Sequence, residues 1–293
     1  MNLPPPKPNI FLLNCLGKET HQIKKTDNAI QLFMQYETIL FEVNNGIATL
    51  TLNRPDVFNA FNEQQSFDVI DVLKKIDRDK SIRVVILTGA GKAFCSGQDL
   101  KSIAGAKNRS LSDSLYKRYN PMIKAMRNLP IPIICKLNGV AAGAGCSMAL
   151  ASDMIVASEN ASLIEVFVNV GLVLDSGSSY FLPRLVGSAR AFELSTMGSK
   201  VTAQQAYDWG MVNRVVKPED LDEETMKIAS YYAQAPTKAI GLMKKMLNKS
   251  FNSDLDTMLQ YEAYCQEIAG RSADYKEGVT AFNEKRKPAF TGQ

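Results

Sequence analysis

From residue 37 onward, apolar positions fall into two alternating periods. Residues 38–43 and 47–52 are short runs rich in β-branched and aliphatic side chains. Asn44-Asn45-Gly46 joins them, so the pair predicts a hairpin. Asn53-Arg54-Pro55 ends the second run. Residues 62–77 carry a helical period, with Phe67, Val69, Ile70, Val72, Leu73 and Ile76 as a broad apolar face. Residues 83–88 are a continuous aliphatic run, as in a parallel strand buried on both faces, and stop at Gly89-Ala90-Gly91.

The alternation continues downstream. Residues 112–129 predict a helix stopped by Pro130, and 132–137 a second buried strand ending at Asn138-Gly139. A helix over 144–151 and strands over 153–157 and 162–167 follow. Beyond Gly187 the pattern is mainly helical, over 188–197, 202–209, 221–234, 238–249, 255–268 and 274–284. Repeated strand, strand and helix followed by a helical tail predicts an α/β protein, with a spiralling core over 36–220 and a helical region over 221–293. Residues 1–35 open on a proline-rich stretch and predict a mobile N-terminal extension.

Composition narrows the chemistry. With 293 residues, 45% hydrophobic and 22% charged, the chain can bury a substantial core. A net charge of +4 suits an anionic small ligand and falls short of a nucleic-acid binder. No apolar run approaches the roughly 18–20 residues that span a bilayer. The cysteines, Cys15, Cys95, Cys135, Cys146 and Cys265, are scattered without a C-x-x-C pair. That argues against a disulfide framework and a zinc site, and for a reducing cytoplasm. The single histidine, His21, lies in the extension. A Ser-His-Asp, Cys-His or multi-histidine metal centre in the body is thereby excluded. Chemistry must rest on carboxylates, backbone dipoles or cysteine.

Two strand ends run into small residues: Gly91-Lys92-Ala93-Phe94-Cys95-Ser96-Gly97-Gln98-Asp99-Leu100 and Asn138-Gly139-Val140-Ala141-Ala142-Gly143-Ala144-Gly145-Cys146-Ser147. Both turns can leave backbone N–H groups pointing outward, and the second opens a helix whose dipole adds positive potential. Two such donors aimed at one point stabilise developing negative charge. An equally weighted alternative is that the glycines only permit tight turns and close helix packing. Neither segment is a Walker A loop. The third glycine of a G-x-G-x-x-G fingerprint would fall at Met148, so a dinucleotide fold fails too. Without a histidine partner, Cys95 and Cys146 read as small buried residues.

Residues 93–100 resemble the first signature of the crotonase (enoyl-CoA hydratase/isomerase) superfamily, and residues 138–153 the second. Asn53-Arg54-Pro55 followed by Asn59-Ala60-Phe61 is similar to that family's CoA-side segment, and the resemblance covers residues 37–293. It implies a crotonase-like spiral of β-β-α units with C-terminal helices that trimerise, as a homotrimer or a dimer of trimers. It further implies an acyl-CoA thioester substrate, with coenzyme A as part of the substrate and no separate cofactor. The N–H groups of Gln98 and Ala144 would hold the thioester oxygen. The CoA arm would lie near Arg54, Ala60, Phe61 and Lys101. Phe282 and Lys285 match C-terminal positions that cover the nucleotide, often in a neighbouring subunit.

Family hydratases carry catalytic glutamates at the positions of Ser147 and Phe167 here, so both are missing. Asp175, in Gly171-Leu172-Val173-Leu174-Asp175-Ser176-Gly177, reads locally as a helix N-cap. The resemblance instead makes it the acid/base, since isomerases and a dehalogenase of the superfamily carry aspartate there. Desolvation beside an apolar pocket would raise its pKa. Residues 94–100, Phe167, Asp175 and Ala269-Gly270-Arg271-Ser272-Ala273-Asp274-Tyr275 resemble the 1,2-epoxyphenylacetyl-CoA isomerases of phenylacetate breakdown, a group that also shifts enoyl-CoA double bonds. The expected function is therefore an acyl-CoA isomerase of that kind or of the Δ3,Δ2-enoyl-CoA kind. The alternatives are a hydratase with displaced acids and a non-catalytic CoA-binding member. Asp99 is expected to brace its loop, and Glu165 is a reserve carboxylate on the opposite strand face from Ser162 and Ile164. Tyr116 and Tyr119 either line an acyl pocket or pack in the core.

Overall fold

The computed structural model describes residues 22–26, 29–103 and 110–293. Strands β1 (Gln22–Thr26) and β2 (Ala29–Gln35) pair antiparallel, and β2 adds to the edge of β3 (Ile39–Asn44). These are the described parts of the 1–35 extension; Cys15 and His21 lie outside the described residues. β3 and β4 (Ile47–Leu52) form the predicted hairpin, with Asn45 and Gly46 both at positive φ as its tight turn requires.

Helix α1 (Glu63–Arg78) is capped by Asn62, whose side chain accepts the Gln65 N–H at 2.8 Å. Val69, Ile70, Val72, Leu73 and Ile76 face the core as predicted. Phe67 does not: it is 43% exposed, because two positions before Val69 it points to nearly the opposite side of the helix. β5 (Val84–Gly89), buried along its whole length, runs parallel to β4. The short β6 (Ala93–Cys95) follows. α2 (Leu111–Ser114), a wider π-helical turn over Leu115–Tyr119 and α3 (Asn120–Asn128) occupy the predicted 112–129 helix.

β7 (Ile133–Leu137), β8 (Val140–Ala142), α4 (Ala144–Leu150), β9 (Met154–Ser158) and β10 (Ser162–Ile164) complete the region around the second glycine turn. The strand predicted over 162–167 stops at Ile164 and gives way to a 3-10 turn, Val166–Val170. The reason lies in its partner: β8 ends at Ala142, and the bond from Gly143 N–H to the Ile164 carbonyl closes the ladder. α5 (Ser178–Met197) begins ten residues before its prediction, with a break at Gly187 that had hidden its first half. β11 (Lys200–Thr202), α6 (Ala203–Asp208) and β12 (Arg214–Val216) precede α7 (Leu221–Gln234), α8 (Thr237–Ser250), α9 (Leu255–Gly270) and α10 (Ala273–Asn283).

The strands form two sheets, ordered β1-β2-β3-β4-β5-β7-β9-β12 and β11-β10-β8-β6. The main core holds α1, α3, α4 and the smaller sheet against one face of the larger. Leu221, Ile228 and Ala229 of α7 cover the other face at Ile47, Val84, Ile86, Ile134 and Val156. The smaller sheet matters most for function, because β6, β8 and β10 run parallel and finish side by side. Among the described residues, no helix is long and apolar enough to cross a membrane.

Candidate functional site

The two glycine turns predicted from sequence leave the neighbouring strands β6 and β8. Gly97 (φ 93°) and Gly143 (φ 52°) both adopt backbone conformations that a side chain would strain. They also lie against each other: a Cβ on Gly97 would fall 2.8 Å from the Ala142 oxygen and 3.6 Å from the Ala144 nitrogen. Ala144 is the first residue of α4, so its N–H has no acceptor within the helix. Gln98 forms a parallel bridge to Phe61 in which Phe61 N–H donates to Gly97 and Asp99 N–H donates to Phe61. Gln98 N–H therefore points away from Phe61. The sequence-predicted pair, Gln98 and Ala144, is brought to one place.

The segment Asn53-Arg54-Pro55 to Phe61 wraps the first turn. Asn59 accepts the Arg54 N–H through Oδ1 and donates through Nδ2 to the Ala90 and Ala93 carbonyls, at 2.9, 2.9 and 2.8 Å respectively. The Arg54 guanidinium donates to the Ala60 carbonyl and to Asp99, the latter at 2.8 Å. Asp99 also accepts the Lys101 and Ser102 N–H groups at 3.1 Å each. Burial works against the Asp99 charge, but Arg54 and those N–H groups outweigh it and hold the carboxyl below its ordinary range. Asp99 braces the loop, as expected. Phe61 is buried beneath it, edge-on to Tyr119.

Tyr119 is buried as well. Its hydroxyl donates to Gln98 Oε1 at 2.8 Å, while Gln98 Nε2 donates to the Phe61 carbonyl at 2.8 Å. The Gln98 side chain is thus tied into the protein. Tyr116 is 74% exposed. Arg54, Ala60 and Phe61 cluster at the first turn, and Lys101 lies exposed just beyond it. Phe282 (83% exposed) and Lys285 sit elsewhere, at the end of α10.

The third strand of the set, β10, leads to the carboxylates. Asp175 lies three residues before α5, yet it is not the helix cap: the cap is Gly177, and no side chain serves. The Asp175 carboxylate instead accepts the Ser176 hydroxyl at 2.8 Å. It is half-buried, and desolvation raises its pKa despite that bond. Its backbone oxygen lies within hydrogen-bond distance, 3.1 Å, of the Ser147 hydroxyl, which ties the Asp175 loop to α4 and hence to Ala144. Phe167 is buried, and the ring tip would lie 3.9 Å from a Cβ on Gly143.

Glu165 is more consequential than its sequence pattern suggested. It is 3% exposed, Oε1 accepts the Ser178 hydroxyl at 2.8 Å, and Oε2 has no hydrogen-bond partner. Burial pushes its carboxyl up to about 7; Ser178 and Cys146 pull downward, while the Asp175 charge pushes the same way as burial. Burial also pushes the Cys95 thiol up to about 12 and raises the Cys146 thiol well above its ordinary range. Neither is therefore an available nucleophile near neutral pH. Among the described residues, no cluster of histidine, cysteine, aspartate or glutamate could hold a metal ion.

Comparison with known proteins agrees with this geometry. Residues 42–293 match the family model described as enoyl-CoA hydratase/isomerase. The chain is 43% identical over 260 residues to the 1,2-epoxyphenylacetyl-CoA isomerase of Escherichia coli K12, covering 88% of this chain and 99% of that protein. A Rhodobacter capsulatus protein named "Probable enoyl-CoA hydratase" is 37% identical, covering 89% of this chain and all of that one. The crystal structure of an enoyl-CoA hydratase from Bacillus anthracis superposes with a TM-score of 0.82 at 33% identity, covering 91% of this chain and 100% of that one. Two paired glycine turns in a crotonase-type fold, matched along most of the chain, place it in the enoyl-CoA hydratase/isomerase family.

Proposed function

We propose that this chain is an acyl-CoA isomerase in which Asp175 carries the proton and the N–H groups of Gln98 and Ala144 hold the thioester oxygen. The observation that carries this reading is the Asp175 carboxylate. It is half-buried, raised in pKa, free of a capping role and tied through Ser147 to the helix that presents Ala144. Two donors converging on a thioester oxygen stabilise the enolate that forms when an α-proton leaves. A single base that accepts a proton and returns it to another carbon meets an isomerase's requirement.

The residues at the two hydratase positions support the same reading. Ser147 is fully buried and hydrogen-bonded to protein atoms, and Phe167 is apolar, so neither can activate a water molecule. The relative with 43% identity is an epoxyphenylacetyl-CoA isomerase, which favours that substrate or a 3-enoyl-CoA. Arg54, Ala60, Phe61 and Lys101 border the first turn and would flank the CoA arm. Phe282 and Lys285 would cover the nucleotide from a neighbouring subunit. Exposed Met243, Leu247, Phe251, Leu255 and Leu259 on and between α8 and α9 support a homotrimer or a dimer of trimers, which sedimentation would test. A cytoplasmic setting fits a chain whose four described cysteines are all unpaired.

A hydratase reading has one observation in its favour: Glu165 supplies a second carboxyl with an elevated pKa. Purified protein given 3-enoyl-CoA, epoxyphenylacetyl-CoA and 2-enoyl-CoA separates the two. Isomerised product, lost in Asp175→Asn, is expected. Accumulation of 3-hydroxyacyl-CoA from 2-enoyl-CoA, or wild-type turnover by Asp175→Asn, would overturn the proposal.

A further inference from the structure

Among the described residues near the candidate site, Glu165 is a strongly perturbed carboxyl to which the proposed reaction gives no role. It leaves β10 one residue after the ladder closes and reaches α5 at Ser178, whose hydroxyl lies 2.7 Å from that of Ser147 on α4. The Ser147 hydroxyl lies 3.1 Å from the Asp175 carbonyl and 3.2 Å from the Gly143 carbonyl. Four groups from three elements and the Asp175 loop therefore form one line: Glu165, Ser178, Ser147, Asp175. Ser147 and Ser178 are fully buried.

A hydroxyl has one hydrogen to give, which makes the direction of this line all-or-none. When Glu165 is ionised it can only accept. Ser178 must then donate to Glu165, Ser147 donates to Ser178, and the Asp175 carbonyl receives nothing from Ser147. When Glu165 is protonated, a proton on Oε2 would have no acceptor, whereas on Oε1 it donates to Ser178. Ser178 then donates to Ser147, and Ser147 to the Asp175 carbonyl or the Gly143 carbonyl. Both of those carbonyls belong to the candidate site: one carries the base, the other precedes Ala144.

We propose that Glu165 is a positioning residue for Asp175, and that its proton sets the direction of the Ser178–Ser147 hydroxyl line that anchors the Asp175 loop to α4. This rests on Asp175 being the acid/base and deepens that reading. The groups facing Glu165 are Ser178 from α5, the Cys146 thiol from α4 and the Asp175 carboxylate from the loop. Among these, Asp175 is the charge that matters. An ionised Asp175 favours the proton on Glu165, so the working form is Asp175 charged with Glu165 neutral. Ionising Glu165 reverses the line and places a second negative charge beside the base.

The test is α-proton exchange of an acyl-CoA in deuterated water, followed across pH with carbon-13 carboxyl shifts read in parallel. In the wild type, exchange is expected to fall up to about tenfold between about pH 6 and about pH 8 as Glu165 ionises. Glu165→Gln can donate to Ser178 but cannot ionise, so the fall should shrink to less than about twofold. Ser178→Ala breaks the line without touching a charge, and should uncouple the Asp175 carbonyl from Glu165 titration. Persistence of the alkaline fall in Glu165→Gln would overturn the proposal. So would a Glu165 carboxyl whose titration leaves the Asp175 carbonyl shift unmoved in the wild type, a readout that survives if a variant fails to fold. If Asp175→Asn keeps its exchange rate while Glu165 titration still moves the 175 carbonyl, the base assignment fails and the hydroxyl line stands.

Discussion

A methyl group on residue 145 would fall 2.2 Å from the Cys95 carbonyl oxygen and 2.7 Å from the Cys95 Cβ. Ordinary contact begins at 3.4 Å, so Gly145→Ala requires α4 and β6 to part by about 1.2 Å, the difference between those values. Neither side can yield cheaply, since the atom met is backbone inside a paired strand. Overpacking of this kind costs ~1–3 kcal/mol, and the upper end applies here. At about 3 kcal/mol the melting temperature should fall by about 6–12 °C. The same displacement separates the strand that feeds Gln98 from the helix that presents Ala144. A misplacement near 1 Å costs on the order of 100-fold in rate, comparable to losing one oxyanion donor. Calorimetry and α-proton exchange would measure the two effects on one sample. Gly270→Ala is the control, because a Cβ there meets nothing within 4 Å and should stabilise by ~0.4–1 kcal/mol. A Gly145→Ala protein that melts within about 1 °C of the wild type and exchanges within about twofold would refute the close-approach reasoning.

Three further outcomes are expected. Asp175→Asn should lower α-proton exchange by ~10²–10⁴-fold, and the wild-type rate should rise with pH through the raised Asp175 pKa, because a base must be ionised to act. Glu165 binds its proton more tightly folded than unfolded, so its contribution to stability is present below the ordinary glutamate range and is lost as pH rises through about 7. From the ordinary value of 4.5 to about 7, that loss is on the order of 3 kcal/mol, and urea titrations should find it absent in Glu165→Gln. Asp99→Asn should cost ~1–3 kcal/mol at neutral pH; the wild-type advantage holds above the unfolded aspartate pKa and vanishes as pH falls through the depressed folded value. Thermal melts of both proteins against pH would check the last of these.

How legible the site was depends on how local each signal is. The two glycine turns could be read because Gly97, Gly143 and the small residues around them sit at the ends of strongly apolar runs. Asp175 could be read only through resemblance: the bare sequence preferred a helix cap, and Gly177 takes that place instead. Glu165 was visible as a carboxylate on the far face of a strand. Its burial was not, because it depends on Ser178, thirteen residues away, and Ser147 on another helix. Three-residue strands such as Ala93–Cys95 and Val140–Ala142 escaped notice for a similar reason. Too short to show alternation, they exist by pairing with one another. Phe67 erred the other way, since a broad apolar count admitted a residue that the helical angle excludes.

The parallel run of β6, β8 and β10 has a consequence for how such a protein can change its chemistry. Each strand leads to one part of the proposed site where it ends: the first donor after β6, the second after β8, the carboxylates beyond β10. The spacing of the two donors is fixed by a single strand-to-strand step, about 4.8 Å, and by the close contact of Gly145 with Cys95. Neither donor comes from past Ile164, although Val166 and Phe167 lie beside Gly143. On the proposed assignment, the stretch from Glu165 to Ser178 could exchange one acid or base for another, or move it along the loop, while both donors stay where they are. On that assignment, reaction type rests on the fourteen residues from Glu165 to Ser178, and thioester recognition on the two strands beside them.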